Sequence, residues 1–219
     1  MMIITGLKRL GKGRYEVYLD GEVAFVLYKG DLARYDLHEG EELTEECRQQ
    51  IYSETLQKRA VNRILFLLQS RDYTYHELKE KLRQGQYPDE ITEGALSEVS
   101  AYGYINDANY AERYVECYRD RKSLGKIRQE LLRRGIDRET VDDAIGEGRR
   151  QQEASAENLE QMQIRRLLEK RHFDPACTDR KEKDRHYAFL IRRGYSSSDI
   201  MAVFREYKDG QILDEYSLT

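Results

Sequence analysis

The stretch GLKRLGKG at residues 6–13 comes nearest to a chemical signature in this sequence. Gly6, Gly11 and Lys12 have the spacing of a phosphate-binding P-loop. Position 13 is a glycine, whereas a P-loop needs a serine or threonine hydroxyl there to hold magnesium. The residues that follow alternate like a strand, so they do not supply the helix N-terminus that would face a phosphate. We therefore interpret the stretch as a basic turn.

Other residues able to do chemistry are scattered along the chain. The histidines are His38, His76, His172 and His186, and the cysteines are Cys47, Cys117 and Cys177. The histidines lie in polar surroundings without i,i+4 pairs, whereas a metal site needs clustered ligands. The cysteines are odd in number and far apart, which fits neither a disulfide framework nor a zinc site. A nucleophile and a base that meet only in the fold remain an open alternative, but the sequence predicts no catalytic residue, no metal and no cofactor.

The composition favours a slender, surface-rich protein. Charged residues make up 36% of the 219 residues, against roughly 25% in ordinary globular proteins. No apolar run approaches the roughly 18 residues of a membrane span. The first residues carry early charges, unlike a signal peptide, and the scattered cysteines suit a reducing compartment. We expect a cytoplasmic protein with no membrane contact.

Positive charge is concentrated in one window. The formal net charge is −4, and the most basic segment, residues 108–150, carries 11 basic and 9 acidic residues. Within it, RDRKSLGKIRQELLRR at 119–134 has seven basic residues against two acidic ones. Such a patch can contact phosphates, or it can be a solvated helix face with favourable charges at its C-terminal end. Charge alone therefore does not indicate nucleic-acid binding.

The first part of the chain has the pattern of β-strands. The run RYEVYLDGEVAFVLY at residues 14–28 surrounds Asp20-Gly21, a strong signal for a two-residue hairpin turn. The run MIITGLKRL could add a third strand. Thr44 is a candidate helix N-cap because acidic residues follow it in the first turn. We predict a small β-rich module with a trailing helix over residues 1–54.

The rest of the chain repeats one helical pattern. From about residue 55 the apolar period changes from two to about 3.6. The phrases EKLRQGQYPDEI, LLRRGID and FLIRRGYSSSDI align at Gly85, Gly135 and Gly194, which lie 50 and 59 residues apart. Each glycine is expected to take the left-handed C′ position that ends a helix. We predict a mainly α protein with three-helix repeats at 55–107, 108–148 and 149–219, the last starting with a partly flexible join within 146–158.

The aligned phrases also share apolar positions around each glycine. An apolar residue lies three positions before each glycine, at Leu82, Leu132 and Ile191. A β-branched residue lies six positions after each glycine, at Ile91, Val141 and Ile200. These positions are expected to be equivalent across the three repeats.

The run YGYINDANYAERYV at 102–115 separates the first two repeats. Gly103 can end one helix, and Asn106 or Asp107 can cap the next. Tyr110 and Ala111 then begin its buried face. Tyr110, Tyr114 and Tyr118 are expected in the core at this helical spacing, although tyrosines can also stack on bases.

These residues resemble the RecX family of regulators of the RecA recombinase. The resemblance rests on Gly103, Asp107, Tyr110 and Ala111, and on the phrases GKIRQELLRRGI at 125–136 and YTYHELKEKLRQG at 73–85. It covers about residues 55–207. The family usually has aspartate where Asn106 stands, a change that keeps the helix cap.

The resemblance implies a non-enzymatic regulator, a monomer that acts in recombinational DNA repair. Members of the family are curved arrays of three-helix repeats that bind RecA–DNA filaments and restrain filament growth, ATP hydrolysis and strand exchange. It places the basic window near a filament of protein and DNA, and we predict that Arg121, Lys122, Lys126 and Arg128 contact this partner. Arg133 and Arg134, next to Gly135, are expected to serve the helix end.

A helix-turn-helix protein that binds nucleic acid directly is the alternative function. Three-helix units with a tight second turn can have that architecture. The sequence pI of about 5.7 opposes it, as does the acidic third helix of the second repeat, RETVDDAI. A weak DNA contact remains compatible with both functions.

Overall fold

The computed structural model describes the backbone of residues 2–153, 158–174 and 179–217, and the side chains of residues 2–148, 158–174 and 179–207. The chain divides into two units, residues 1–106 and residues 107–219. The fold is mainly α with a small N-terminal antiparallel sheet, which confirms the predicted fold class.

The N-terminal sheet has the strand order β3-β2-β1-β4. Its strands are β1 (Met2–Gly11), β2 (Arg14–Leu19), β3 (Glu22–Tyr28) and β4 (Glu42–Leu43). Asp20 and Gly21 join β2 to β3 with φ angles of 49° and 91°, as a two-residue type I′ turn requires. Lys12 and Gly13, with φ angles of 50° and 74°, join β1 to β2. The P-loop-like stretch is thus a hairpin turn, as predicted.

The first helix of the first unit is short, and the sequence did not predict it. The α-helices of this unit are α1 (Lys29–Arg34), α2 (Glu45–Gln50), α3 (Gln57–Leu68), α4 (Tyr75–Gln84) and α5 (Asp89–Ala101). Thr44 caps α2, since its Oγ1 accepts a hydrogen bond of 3.2 Å from the N–H of Cys47. A π-helical segment, Ile51–Leu56, connects α2 to α3. Residues 45–68 are therefore helical throughout, across the domain boundary predicted between residues 54 and 55.

One core serves both the sheet and the helices of the first unit. Ile4, Val17 and Phe25 from the strands pack in the same buried cluster as Ile64 and Leu96 from α3 and α5. Alternation along the strands and the 3.6-residue period along the helices direct these side chains to the common interior. The sheet is therefore packed on the helices of the first repeat.

The second unit consists of two groups of helices with separate cores. They are α6 (Asp107–Tyr118), α7 (Leu124–Arg133), α8 (Arg138–Glu153), α9 (Leu159–Glu169), α10 (Arg180–Arg192) and α11 (Ser197–Ser217). One core lies among α6, α7 and α8 and includes Ile127 and Val141. The other lies among α9, α10 and α11 and includes Leu168 and Phe204. The predicted join at 146–158 is helical as far as Glu153, and residues 154–157 of it lie outside the described residues.

Two of the three aligned glycines end helices as predicted. Gly135 and Gly194 have φ angles of 80° and 86°. The N–H groups of Ile136 and Tyr195, one residue further on, each donate a hydrogen bond of 3.3 Å to the carbonyls of Leu131 and Leu190. This pattern is a Schellman motif, in which a left-handed residue lets the chain turn back on the last helical turn.

The prediction for Gly85 is wrong by one position. Gly85 has a φ angle of −81°, and Gln86, with a φ angle of 59°, takes the left-handed conformation. The corresponding hydrogen bond, of 3.2 Å, runs from the N–H of Tyr87 to the carbonyl of Leu82. The sequence pattern assigned the left-handed conformation to the adjacent glycine, because glutamine adopts this conformation only rarely.

The corrected register makes other residues equivalent. In each repeat a leucine carbonyl accepts the Schellman hydrogen bond. These leucines are Leu82, Leu131 and Leu190, and all three are fully buried. Leu132 and Ile191, which the glycine alignment had matched to Leu82, are each 41% exposed. The β-branched positions after the turn are Thr92, Val141 and Ile200, again fully buried.

The connection that precedes α6 has its helix boundaries where the sequence predicted them. Gly103 follows the end of α5 with a φ angle of 76°. Helix α6 begins at Asp107, directly after Asn106. Ala111 is fully buried and Tyr110 packs against the same core. These residues of the RecX-like motif are therefore structural.

Candidate functional site

Helix α7 carries the basic window, and its own sequence defines where it begins. Ser123 precedes the helix with an extended backbone, and its Oγ accepts a hydrogen bond of 3.2 Å from the N–H of Lys126. This is N-capping. Ile127 and Leu131, four positions apart on one face of the helix, are fully buried against α6 and α8.

Three tyrosines of α6 form a column beside α7. The ring centres of Tyr110 and Tyr114 are 6.2 Å apart, and those of Tyr114 and Tyr118 are 4.5 Å apart. All three are half-buried and pack against the core of this helix group. The guanidinium of Arg134 lies 5.7 Å and 5.4 Å from the rings of Tyr110 and Tyr114. The column therefore forms the edge of the core.

Lys122 is held by the same group of residues. Its Nζ lies 2.6 Å from Oε2 of Glu130 and 4.1 Å from the ring centre of Tyr118. The hydroxyl of Tyr114 donates to the same carboxylate oxygen at 2.6 Å. Although burial acts to raise the pKa of Glu130, the hydrogen bonds from Lys122 and Tyr114 lower it. Glu130 therefore stays ionised and fixes Lys122 in place.

Arg128 is also paired within the fold. Its guanidinium lies 2.7 Å from Oδ1 of Asp142 on α8, and Arg138 approaches the same carboxylate at 3.8 Å. This arrangement ties the outer side of α7 to α8.

Arg121 and Lys126 have no ion-pair partner among the residues whose side chains are described. Arg121 is exposed in the turn before α7, and Lys126 is half-exposed in the first turn of the helix. The four residues predicted to bind a partner therefore form two pairs. Lys122 and Arg128 are engaged inside the protein, while Arg121 and Lys126 are available to another molecule.

The N-terminus of α7 is buried by residues that no sequence motif indicated. The Oγ of Ser123 donates a hydrogen bond of 2.5 Å to the carbonyl of Arg193, at the end of α10. The N–H of Leu124 donates a hydrogen bond of 3.0 Å to Oε1 of Glu160, which is 7% exposed. A carboxylate at this position satisfies a free N–H of the first turn and complements the positive end of the helix.

Two glycines allow α7 to approach the turn between α10 and α11. A Cβ on Gly125 would collide with the backbone carbonyl of Gly194. Beside them, Nε2 of Gln163 donates a hydrogen bond of 2.6 Å to the carbonyl of Arg119, and its Oε1 accepts one of 3.0 Å from the hydroxyl of Tyr195. These contacts join α7 and the turn before it to the last three helices, and residues far apart in sequence make them.

The described residues contain no cluster of His, Cys, Asp or Glu side chains able to hold a metal ion. One expectation about the histidines was wrong. His186 is only 5% exposed and its ring centre lies 5.1 Å from that of Phe173, so it belongs to a core. Burial lowers the pKa of His186. No described helix combines the length and the apolar composition that crossing a membrane requires.

Two domains of known proteins match the second unit. The second three-helix domain of RecX matches residues 106–145, and the third three-helix domain matches residues 159–204. A regulatory protein RecX of Trichlorobacter lovleyi is 36% identical over 146 residues, which are 65% of this chain and 91% of that protein. The chain belongs to the RecX family. The family resemblance drawn from the sequence is thereby confirmed.

Other RecX proteins extend the similarity into the first unit. Regulatory protein RecX of Limosilactobacillus reuteri is 30% identical over 190 residues, which are 85% of this chain and 69% of that protein. A crystal structure of regulatory protein RecX superposes with a TM-score of 0.58 at 27% identity, covering 95% of this chain and 100% of that chain. RecX membership assigns the chain a regulatory role.

Proposed function

We propose that this chain binds the RecA–DNA filament and restrains its growth, ATP hydrolysis and strand exchange, as a monomer without enzymatic activity of its own. The observation that carries the proposal is the pair of unengaged cations, Arg121 and Lys126, on a domain that matches the second RecX domain. Such a regulator acts in the cytoplasm, where a bacterium keeps its DNA.

The physical argument concerns the cost of binding. Lys122 and Arg128 already have anionic partners at 2.6 Å and 2.7 Å, so recruiting them to a filament would break those contacts. Arg121 and Lys126 have no ion pair among the residues with described side chains, so recruiting them breaks no such contact, although the charge of Lys126 also helps to lower the pKa of Glu130. Exposed cations attract DNA phosphates and acidic protein surfaces, and they raise association rates in a salt-dependent way.

Direct reading of DNA bases by the second repeat is the less favoured function. Its third helix, α8, would be the recognition helix of a helix-turn-helix protein. The first turns of α8 carry Glu139, Asp142 and Asp143, which DNA phosphates would repel. We therefore favour a partner that combines protein and DNA.

The test is RecA-catalysed ATP hydrolysis on single-stranded DNA. The double variant Arg121→Ala/Lys126→Ala is expected to inhibit hydrolysis less than the wild type and with a weaker salt dependence. Its folding should change by less than about 0.5 kcal/mol, as is usual for surface substitutions.

A matched control removes two exposed cations of α10, in the variant Lys181→Ala/Arg185→Ala. It has the same net charge as the test variant and should inhibit like the wild type. Equal inhibition by the wild type and both folded variants would remove Arg121 and Lys126 from the interface. Failure of the wild-type protein to co-sediment with RecA filaments would contradict the proposed function itself.

A further inference from the structure

The first unit contains a cleft that is separate from the α7 surface formed by Arg121 and Lys126, neither of which lines it. The cleft has a volume of about 380 Å³ and lies between strands β2 and β3, helix α3 and the turn after α4. A cleft of this size is in the range of ligand sites. Arg14 comes from β2, Arg59 and Arg63 from α3, and Lys81 from α4.

The cleft is positive on a unit that is otherwise acidic. Residues 1–106 carry 14 basic and 18 acidic residues, yet the described residues that line the cleft include four cations and no carboxylate. Arg59 is bound from outside the lining by Asp31, at 3.0 Å and 3.1 Å. Arg14, Arg63 and Lys81 have no ion-pair partner among the residues with described side chains. The remaining charge of the cleft is therefore close to three positive units, concentrated at one site.

Aromatic rings accompany these cations. Tyr28 lines the cleft, is 42% exposed, and has the guanidinium of Arg59 over its ring at 4.6 Å. Phe66 does not itself line the cleft, but it is 63% exposed and its ring centre lies 5.9 Å from the guanidinium of Arg63, which does. Exposed rings beside cations that follow a backbone are the combination found at single-stranded nucleic-acid sites, where the bases stack and the phosphates pair.

The cations are also of the type that suits phosphate. Three of the four are arginines, whose planar guanidinium can donate two parallel hydrogen bonds to one phosphate. The wall that carries Lys81 is anchored to the sheet, because Nε2 of Gln86 donates a hydrogen bond of 2.7 Å to Oε1 of Glu16. The cleft is therefore formed before a ligand arrives, which limits the entropy lost on binding.

We infer that this cleft binds the sugar-phosphate backbone of a single-stranded nucleic acid, with Arg14, Arg63 and Lys81 on phosphates and Tyr28 and Phe66 as stacking surfaces. The site is separate from the α7 surface, and it does not rest on the proposed action on RecA. It gives the N-terminal sheet a function of its own.

The experiment measures binding of the full-length chain to a short fluorescein-labelled oligothymidine by fluorescence anisotropy, without RecA. The wild type should bind with an affinity that falls as salt is raised. The triple variant Arg14→Gln/Arg63→Gln/Lys81→Gln should bind at least about tenfold more weakly, and the slope of log affinity against log salt should fall by about 2, since each lost contact to a single strand contributes about 0.7.

The matched control is Arg9→Gln/Lys12→Gln/Lys58→Gln, which removes three exposed cations of the same unit that do not line the cleft. This variant should keep the wild-type affinity within about twofold, because only contacts at the site release counterions. An equal loss in both variants, or an unchanged affinity in the cleft variant, would overturn the inference. If the triple variant does not fold, Arg63→Gln alone should lower the slope by about 0.7, and an unchanged slope would contradict the site.

Competition separates the other possible ligands. Unlabelled oligothymidine should displace the probe, whereas pyrophosphate and polyglutamate at matched charge should not. Displacement by pyrophosphate would identify a site for small phosphate compounds, and displacement by polyglutamate a site for acidic protein; either result would overturn the nucleic-acid assignment. Since RecA is absent, none of these outcomes depends on the proposed function.

Discussion

Gln86 and Glu16 lie 70 positions apart in the chain and are joined by a hydrogen bond of 2.7 Å from Nε2 to Oε1. Gln86 makes this bond from a left-handed backbone conformation, at the position where the other two repeats have Gly135 and Gly194. A non-glycine residue is strained in that conformation by about 1 kcal/mol. The bond to the sheet explains why a glutamine stands there.

The substitutions Gln86→Ala and Gln86→Gly both remove this hydrogen bond, but only glycine relieves the backbone. We therefore expect Gln86→Ala to be less stable than Gln86→Gly by about 1 kcal/mol in a urea titration followed by circular dichroism. The reciprocal change Gly135→Ala, at a φ angle of 80°, should cost about 1 kcal/mol, and Gly135→Val more. Equal midpoints for the two Gln86 variants would contradict the strain.

Glu16 should make the stability of the first unit depend on pH. The hydrogen bond from Gln86 is the main reason that the pKa of Glu16 lies below its usual value of 4.5, although burial opposes it. A carboxyl whose pKa is lower in the folded protein than in the unfolded chain stabilises the fold at pH values above its unfolded pKa. This stabilisation is lost as the pH falls through the folded pKa.

The comparison is between wild type and Glu16→Gln, with the urea midpoint measured from about pH 7 down to about pH 3. The wild type should be the more stable protein near neutrality, and its advantage should shrink below about pH 4.5. A constant difference across this range would show that Glu16 does not contribute through its ionisation.

Thr92 offers a stabilising substitution. It is fully buried and its Oγ1 has no hydrogen-bond partner among the residues whose side chains are described, whereas the equivalent positions hold Val141 and Ile200. Thr92→Val removes an unsatisfied hydroxyl with little change of shape, and it should stabilise the protein by about 1 kcal/mol.

The reverse swap is the control for Thr92→Val. Val141→Thr introduces a hydroxyl at a fully buried site and should destabilise by about 1–2 kcal/mol. A loss of stability in both variants would indicate that the hydroxyl of Thr92 is satisfied in solution.

At Gly125 the local helix propensity and the tertiary packing have opposite effects on the stability of an alanine substitution. In an isolated helix, alanine is favoured over glycine by about 1 kcal/mol. In this fold a Cβ on Gly125 meets the carbonyl of Gly194, so Gly125→Ala should destabilise by about 1–3 kcal/mol through overpacking.

Gly146 is the matched control, because it lies within α8 and, apart from the backbone of its own helix, a Cβ there would meet no atom of the described residues within 4 Å. Gly146→Ala should raise stability by up to about 1 kcal/mol. If Gly125→Ala also raised the urea midpoint, the close approach of α7 to the α10–α11 turn would be wrong.

Lys122 and Arg121 are neighbours, but their replacement by alanine should change the stability of the fold by different amounts. Lys122→Ala breaks the contacts to Glu130 and Tyr118 and should cost about 1 kcal/mol. Arg121→Ala removes an exposed charge and should change stability by less than about 0.5 kcal/mol. Thermal melts followed by circular dichroism check both, and equal melting temperatures would show that Lys122 is not held as described.

Local features of the fold were predictable from the residues that make them. The hairpin at Asp20-Gly21, the cap at Thr44 and the turn at Gly135 each depend on conformational preferences within a few positions. The burial of Ala111 followed from its position at the start of the buried face of its helix. The Gly85 register failed because a long-range hydrogen bond, which no local pattern contains, stabilises Gln86 in the left-handed conformation.

The sequence by itself determined the class of fold, the positions of most helices and the resemblance to the RecX family, because turn chemistry and hydrophobic period act between near neighbours. Only the tertiary structure decided which cations of the basic window 119–134 are engaged by Glu130 and Asp142 and which remain available. It also decided that Gly125 lies against Gly194, and that four cations from separate elements line one cleft. These outcomes depend on residues that folding brings together from distant parts of the chain, and a linear pattern contains no information on such distances.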